Sequence, residues 1–409
     1  MKRVLIFSLT YHPYVGGAEL AIEEITGRLA RGRATTEGID PVEFHFDVIT
    51  LRFNRALPRI EDKGNVTIHR IGFATDAPEI SDRSMPFRCK VSKILFPFTS
   101  FFKALSLNRR YHYDLIWAMM ANQAGFGALF FKLMHSHIPY MLELQDGNTL
   151  AQVRARQPLL RFVWPLYKKI YLNADMIKVI SSSIKDLARE IGYDGPVVII
   201  PNAVDTKKFS GPIPEKALLF LKEALDKQAG DVFLFTASRL VLSRGVEDVI
   251  RALPSLPANV KFVIAGEGED REKLRMIARN MGVLERVRFL GHIEHNSLPI
   301  YFKVSDIFVR PSVIEGFGSA FVEAFAAGIP VIATPVGGIP DFLQDGVTGL
   351  FCEVRNPESV ARVARRYLDN PALVAKVVAN AKALVMEKYD WNIIARDMKE
   401  RVFDPLIKV

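Results

Sequence analysis

Short, nearly unbroken runs of Val, Ile, Leu and Phe recur along this chain, with amphipathic segments between them. A strand that is apolar along its whole length must be covered on both faces. That is the condition of a parallel sheet wrapped by crossover helices, not of an antiparallel sheet with one wet face. In the first half the strand-like runs are 3–9, 44–50, 115–119, 140–144, 176–180 and 197–200, with helical patterns at 18–30 and 182–190. The alternation pauses where Pro and Gly cluster, at 201–214. It then restarts with runs at 232–237, 260–265, 287–290, 307–310 and 331–334, and helices near 246–252, 271–281 and 319–327. A chain of 409 residues exceeds one ordinary core. The expectation is α/β: two Rossmann-like, doubly wound parallel-sheet domains facing across a cleft, jointed in the 201–214 region.

The formal charge of +9 admits nucleic acid, an anionic membrane surface or anionic small molecules as partners. Its location narrows the choice. The segment 83–113 holds seven Lys or Arg, seven Phe or Tyr and no acid. The segment 150–173 holds five Lys or Arg, no acid, and Phe162, Trp164, Tyr167 and Tyr171. Without those basic residues the chain is acidic on balance. Basic stretches with exposed-looking aromatics suit the headgroup layer of an anionic bilayer, whereas a solvated helix with a core face is the plainer alternative. No helix-turn-helix, zinc-finger or RNP-type signature accompanies the charge, so nucleic acid is not expected.

The opening 1–9 imitates a signal peptide but is cut short by Tyr11-His12-Pro13, and reads as a first buried strand. The uncharged stretch 115–131 falls short of the roughly 20 apolar residues of a span, and reads as strand, turn and helix. Cys89 and Cys352 cannot build a disulfide framework or a cysteine-rich zinc site.

The chemistry-bearing residues gather in loops that follow strands. Val313-Ile314-Glu315-Gly316-Phe317-Gly318-Ser319 leads from a strand into a helix that carries Glu323. The glycines let backbone approach a ligand, and the helix start offers N–H groups to phosphate. Glu315 in the loop and Glu323 a turn into the helix can face one cleft, where carboxylates suit sugar or ribose hydroxyls. The plainer reading makes Glu315 a helix-entry acid and Glu323 a surface residue. Arg239 and Arg244 stand in another such loop, and two guanidinium groups suit a diphosphate. Gly266-Glu267-Gly268 forms a further loop on that edge, and Gly16-Gly17 joins the first strand to the first helix. A single GxGxxG dinucleotide fingerprint is absent.

Taken in order, Gly16-Gly17-Ala18-Glu19, Pro201-Asn202-Ala203-Val204-Asp205, Arg239 with Arg244-Gly245, Glu315-Gly316-Phe317-Gly318 with Glu323-Ala324, and Gly337-Gly338-Ile339-Pro340 resemble the retaining glycosyltransferases of family four. The resemblance implies the GT-B architecture: an acceptor-binding domain over 1–203, a nucleotide-sugar domain over 204–385, and a C-terminal helix over 386–409 crossing back to the first domain. It implies that Arg239 and Arg244 bind the donor diphosphate and stabilise the leaving group, and that Glu323 holds the ribose hydroxyls. Glu315 with the Phe317–Gly318 backbone would hold the transferred sugar, Gly17 would lie against the distal phosphate, Gly16, Ser319 and Gly266 would also lie at the donor, and His292 and Ile293 would grip the base. It further implies retention by same-face attack, with the departing phosphate taking the acceptor's proton. No DxD pair occurs, so no metal and no other cofactor is expected beside the donor substrate.

The chain departs from the family pattern in three places. Arg244 stands where Lys is usual, Ala203 where Gly is usual, and Gln145-Asp146 where a His commonly faces the sugar. Gln145 can bond a hydroxyl but cannot titrate, and Asp146 could supply a carboxylate. The pairs His135/His137 and His292/His295 lack companions for a four-ligand metal set and read as ordinary surface or loop histidines. The leading expectation is a glycosyltransferase, cytoplasmic and peripheral on the inner face of the cell membrane. Its partners would be a nucleotide-sugar donor and a lipid-linked or glycan acceptor. A sugar-nucleotide epimerase of the same architecture, or a non-catalytic binding protein keeping the fold, competes with it.

Overall fold

The computed structural model describes residues 1–14, 16–29, 34–35, 38–39, 43–76, 85–156 and 160–407. Val15, Arg83 and residues 157–159 of the second basic segment lie outside the described residues. The chain divides into two compact units, Met1–Asn202 with Asn392–Val409, and Ala203–Trp391.

The first unit carries β1 (Lys2–Phe7), β2 (Ala34–Thr35), β3 (Gly38–Ile39), β4 (Phe44–Leu51), β5 (Ile60–Lys63), β6 (Val66–Ile71), β7 (Leu115–Met119), β8 (Tyr140–Leu144), β9 (Met176–Val179) and β10 (Val197–Ile199). Eight of these form one sheet in the order β10-β9-β8-β7-β1-β4-β6-β5, and β2 with β3 form a small antiparallel pair. Every residue of β7 and β8 is buried, as apolar strands between two helical layers must be. The sheet is parallel as expected except at one edge, where β5 runs antiparallel to β6. Neither strand was expected from the sequence. Ile60-Glu61-Asp62-Lys63 is mostly exposed, so its residues never had to be apolar.

The second unit carries β11 (Val232–Ala237), β12 (Val260–Ala265), β13 (Val287–Gly291), β14 (Ile307–Arg310), β15 (Val331–Ala333) and β16 (Leu350–Phe351). All are parallel, in the order β13-β12-β11-β14-β15-β16. The core under this sheet joins Leu234, Phe262, Ile264 and Val309 to Val249, Val360 and Val377 of the covering helices.

The single helix expected over 386–409 is corrected. The helix Pro371–Lys388 ends first, and the chain then reforms as Trp391–Met398 and continues to Ile407. Between them Tyr389 pairs through its carbonyl with Val204 N–H at 2.9 Å, which interrupts the helical ladder. Beyond that break Phe403 packs on Phe44, Phe46 and Trp117 of the first unit.

Candidate functional site

In the second unit the strand order reverses direction between β11 and β14, which opens a crevice outside their carboxyl ends. The loops after those two strands carry Arg239, Arg244 and Glu315, and they are stitched together by Val313 N–H donating to Ser243 O at 2.9 Å. Arg244 lies in a short 3-10 turn, Leu242–Arg244, closed by Gly245 at φ 69°. A Cβ on Gly245 would stand 1.9 Å from Pro311 O, and one on Gly337 would stand 1.7 Å from Glu315 O. Only glycine lets these two turns press on both sides of the 311–315 loop.

The structure brings Arg244 and Glu315 together. Arg244 Nη1 donates to Ile314 O at 2.9 Å and lies 2.8 Å from Glu315 Oε2. The same oxygen accepts from Arg310 Nη2 at 2.9 Å. Arg310 was not singled out by its sequence context, since as the last residue of β14 it reads as part of the strand. It is buried beneath the site, donates to Ala237 O at 3.1 Å, and stacks its guanidinium over Phe321 at 4.3 Å. Burial draws its pKa down, and Glu315 opposes that shift. One buried carboxylate thus ties the ends of β11 and β14 to the helix Ser319–Ala327. Arg239 is exposed, and its neighbours are held by Leu240 N–H donating to Glu267 O at 2.8 Å. Ser238 N–H donates to Ala265 O at 3.0 Å, so the segment leading into Gly266–Gly268 braces the Arg239 loop, while Gly266 N–H donates to Gly291 O at the end of β13 at 2.7 Å.

Phe317 buries its ring against Phe342 and Tyr389, which leaves its backbone, with Gly318 and Ser319, at the helix start. Glu323 is buried in that helix, and its Oε1 lies 3.0 Å from His295 Nε2. The reading of His295 as an ordinary loop histidine is therefore corrected. His292 is exposed beside Glu294, and Ile293 is half-buried, both just past the end of β13.

In the first unit the corresponding reversal falls between β1 and β7. There Gly16 and Gly17 open the helix Gly17–Leu29, and Glu19 accepts a hydrogen bond from Thr10. Gln145 is held at both ends: its Nε2 donates to Glu143 Oε1 at 2.6 Å, and its Oε1 accepts from Asn202 Nδ2 at 3.0 Å. Gly17 sits against this pair, because a Cβ there would lie 3.5 Å from Asn202 Nδ2 and 3.8 Å from Gln145 Oε1. Behind Gln145, Glu143 also accepts from Trp117 Nε1 at 2.9 Å and from the fully buried Lys178 at 2.5 Å. Neither Glu143 nor Lys178 was singled out, since each sits inside an otherwise apolar strand. Asp146 is exposed and accepts from the side-chain amide of Asn148. Among the described residues no three of His, Cys, Asp and Glu gather as a metal site would require.

Two parallel-sheet, Rossmann-like units with glycine-rich loops at their carboxyl edges define a protein of the GT-B class. Sucrose-phosphate synthase from Thermosynechococcus elongatus shares the fold at a TM-score of 0.81 and 20% identity, with both chains covered in full. Residues 220–384 match the model of glycosyl transferases group 1, and residues 15–208 match that of glycosyltransferase family 4. The chain belongs to the glycosyltransferases of group 1 and family 4. An uncharacterised glycosyltransferase of Methanocaldococcus jannaschii is 32% identical over 236 residues, 56% of this chain and 60% of that protein. A GDP-mannose-dependent phosphatidylinositol monomannoside mannosyltransferase of Mycobacterium tuberculosis is 31% identical over 245 residues, 57% of this chain and 63% of that protein. The chain thus spans less than two thirds of the length of either relative.

Proposed function

We propose that this chain transfers a sugar from a nucleoside diphosphate sugar to a lipid-linked or glycan acceptor, with retention, at an anionic membrane surface. The observation that carries the reading is the Arg244–Glu315–Arg310 cluster at the β11/β14 crevice, with Arg239 exposed in the same loop as Arg244. Guanidinium groups there neutralise the charge that builds on a departing diphosphate, so the reaction needs no metal ion to do it. The bond from the sugar's anomeric carbon to phosphate oxygen breaks while the acceptor oxygen bonds the same carbon from the same face. The acceptor's proton passes to the departing phosphate oxygen. Glu315, with one oxygen taken by two guanidinium groups, serves to hold Arg244 rather than to attack the sugar. Support for a nucleotide-sugar donor and a lipid acceptor comes from the mycobacterial mannosyltransferase, whose donor is GDP-mannose and whose acceptor is a phosphatidylinositol monomannoside.

The test is incubation with labelled UDP-, GDP- and ADP-sugars and a bacterial lipid extract. Label in the organic phase supports transfer, and an isomerised nucleotide sugar without acceptor supports the epimerase instead. EDTA should leave the rate unchanged. Asp146→Asn and Gln145→Ala should each cut transfer at least tenfold while nucleotide binding survives, because both sit in the unit that does not carry the diphosphate cluster. Full activity in both variants would sink their role.

The membrane part of the proposal rests on the helix Phe87–Asn108. Its inner face, with Phe96, Ser100, Ala104 and Leu107, is buried, and part of it packs on the helix Gln123–Met134. Phe87, Ile94, Phe98 and Phe102 follow one another by seven, four and four residues along the opposite face, and are 80%, 68%, 54% and 64% exposed. Arg88 and Lys90 flank that stripe, and Arg109 and Arg110 follow the helix, all exposed. A stripe of three phenylalanines and an isoleucine between basic side chains fits the headgroup boundary of an anionic bilayer, on the cytoplasmic side where the donor is held. The expectation that the aromatics are at the surface is corrected for Phe96, Tyr113, Tyr167 and Tyr171, which are buried. Among the described residues no helix is long and apolar enough to cross a membrane. Each basic side chain near an anionic surface contributes about 1 kcal/mol, so Arg88→Ser with Lys90→Ser should weaken binding to phosphatidylglycerol vesicles roughly 30-fold. Phe98→Ser with Phe102→Ser should abolish cosedimentation. A wild-type protein that ignores the vesicles but forms dimers through this helix would overturn the membrane assignment.

A further inference from the structure

Glu323 is buried, and among the described residues its Oε1 has His295 as hydrogen-bond partner while Oε2 has none. His295 in turn meets Lys208, whose Nζ lies 3.3 Å from His295 Nδ1 and 2.7 Å from Asn296 Oδ1. An ammonium group has donors only, so Nδ1 of His295 must accept from it. The remaining ring proton then lies on Nε2, where it points at Glu323 Oε1. A doubly protonated ring would set an N–H against the ammonium group at 3.3 Å, so the neutral Nε2–H form alone satisfies both contacts. The order Lys208 to His295 to Glu323 fixes both the direction of each bond and the tautomer of the ring.

Local structure holds each member in place. Lys208 lies in the turn of helix Thr206–Ser210, capped by Asp205 accepting from Lys208 N–H at 3.0 Å. Burial pulls the Lys208 ammonium below its ordinary pKa, opposed by Glu323 and Asp205. The imidazole packs on the buried ring of Phe209 at 5.6 Å. The side chain of His295 is 21% exposed and that of Glu323 only 6%, so little of the carboxylate meets solvent.

We infer that His295, oriented by Lys208, is a positioning residue that pins one oxygen of Glu323 and thereby presents the other to the ribose hydroxyls of the donor. The inference rests on the donor reading above. Its physical content is preorganisation: an unpinned glutamate would have to surrender side-chain freedom on binding, and would offer its oxygens in several directions. A ribose contact is present in ground state and transition state alike, so the loss falls on donor KM rather than on kcat.

The experiment is calorimetric titration of the full chain with UDP, GDP and ADP, for the wild type and for His295→Phe, His295→Gln and Lys208→Met. Phenylalanine keeps the ring contact with Phe209 and loses both hydrogen bonds. Its expected result is an affinity at least about tenfold weaker for the preferred nucleotide, the size of one hydrogen bond to a charged group. Glutamine can accept from Lys208 and donate to Glu323, and should recover most of the affinity. A merely structural histidine would not be rescued in this way. Nitrogen NMR of histidine-labelled protein should show His295 as the Nε2–H tautomer, and that signature should weaken in Lys208→Met. Wild-type binding with His295→Phe equally tight, or a wild-type ring in the Nδ1–H form, overturns the role of His295 alone. If the wild type binds none of the three nucleotides, the donor reading fails and this role goes with it.

Discussion

Replacing Arg244 by alanine is expected to lower kcat/KM for sugar transfer by about 10²–10³-fold, the usual effect of removing one group aimed at charge that develops in a transition state. The size of the effect has two sources in the structure. The guanidinium itself is lost from the β11/β14 crevice, and Glu315 loses one of the two arginines that share its Oε2. Arg244→Lys separates the two. A lysine keeps the charge, but where Arg244 spends the single nitrogen Nη1 on both Ile314 O and Glu315 Oε2, a lysine that made these contacts would have no second nitrogen to offer a diphosphate. It should therefore retain more activity than alanine, with a loss nearer tenfold. Initial rates with the donor identified in the nucleotide-sugar panel measure both. The control is Arg362→Ala, an exposed arginine of the helix Pro357–Leu368 that is paired with Glu353 and takes no part in the crevice. Alanine at 244 with wild-type rates would remove the diphosphate from this cluster.

The second large effect is on stability. Lys178→Met is expected to destabilise the first unit by about 3–5 kcal/mol, because it strips the partner from a carboxylate that has no access to water. Glu143 and Lys178 sit side by side on β8 and β9, both fully buried, at 2.5 Å. The pair as such need not contribute much, since bringing two charges out of water costs about as much as their attraction returns. Breaking it is what costs. Glu143→Gln with Lys178→Met removes both charges and keeps an oxygen for Trp117 Nε1, so the double variant should recover most of the loss. Urea unfolding of the four proteins completes the cycle, with a coupling of several kcal/mol expected between the two sites. Additive losses would mean the charges do not depend on one another. Because Gln145 hangs on Glu143, the single variant Lys178→Met should lower transfer as well as stability.

The parallel strands were legible because burial on both faces leaves a strand no choice of composition. Val232–Ala237 and Leu115–Met119, for instance, were delimited to the residue. The strands β5 and β6 were not legible for two reasons: β5 is a mostly exposed edge that tolerates Glu, Asp and Lys, and the largely buried β6 carries His69 and Arg70, whose partners Asp47 and Glu61 come from neighbouring strands. Among site residues, those in glycine-bearing loops after strands stood out by motif, Arg244 and Glu315 foremost. Arg310, Lys178 and Glu143 did not, since a charged residue inside an apolar strand has no local pattern. Its partner is supplied by a neighbouring strand or loop.

The sequence by itself therefore determined the sheet type, the two series of strands, and the loops in which donor chemistry could lie, because periodicity and glycine placement are local requirements. Only the tertiary structure decided which charges meet. Glu315 and Glu323, eight residues apart in one motif, are held by quite different partners, Arg244 and Arg310 for the first and His295 for the second. Pairing between charges depends on strand order and loop packing across the unit, and the strength of a buried pair depends on how completely water is excluded around it. Neither is written in the spacing of residues along the chain.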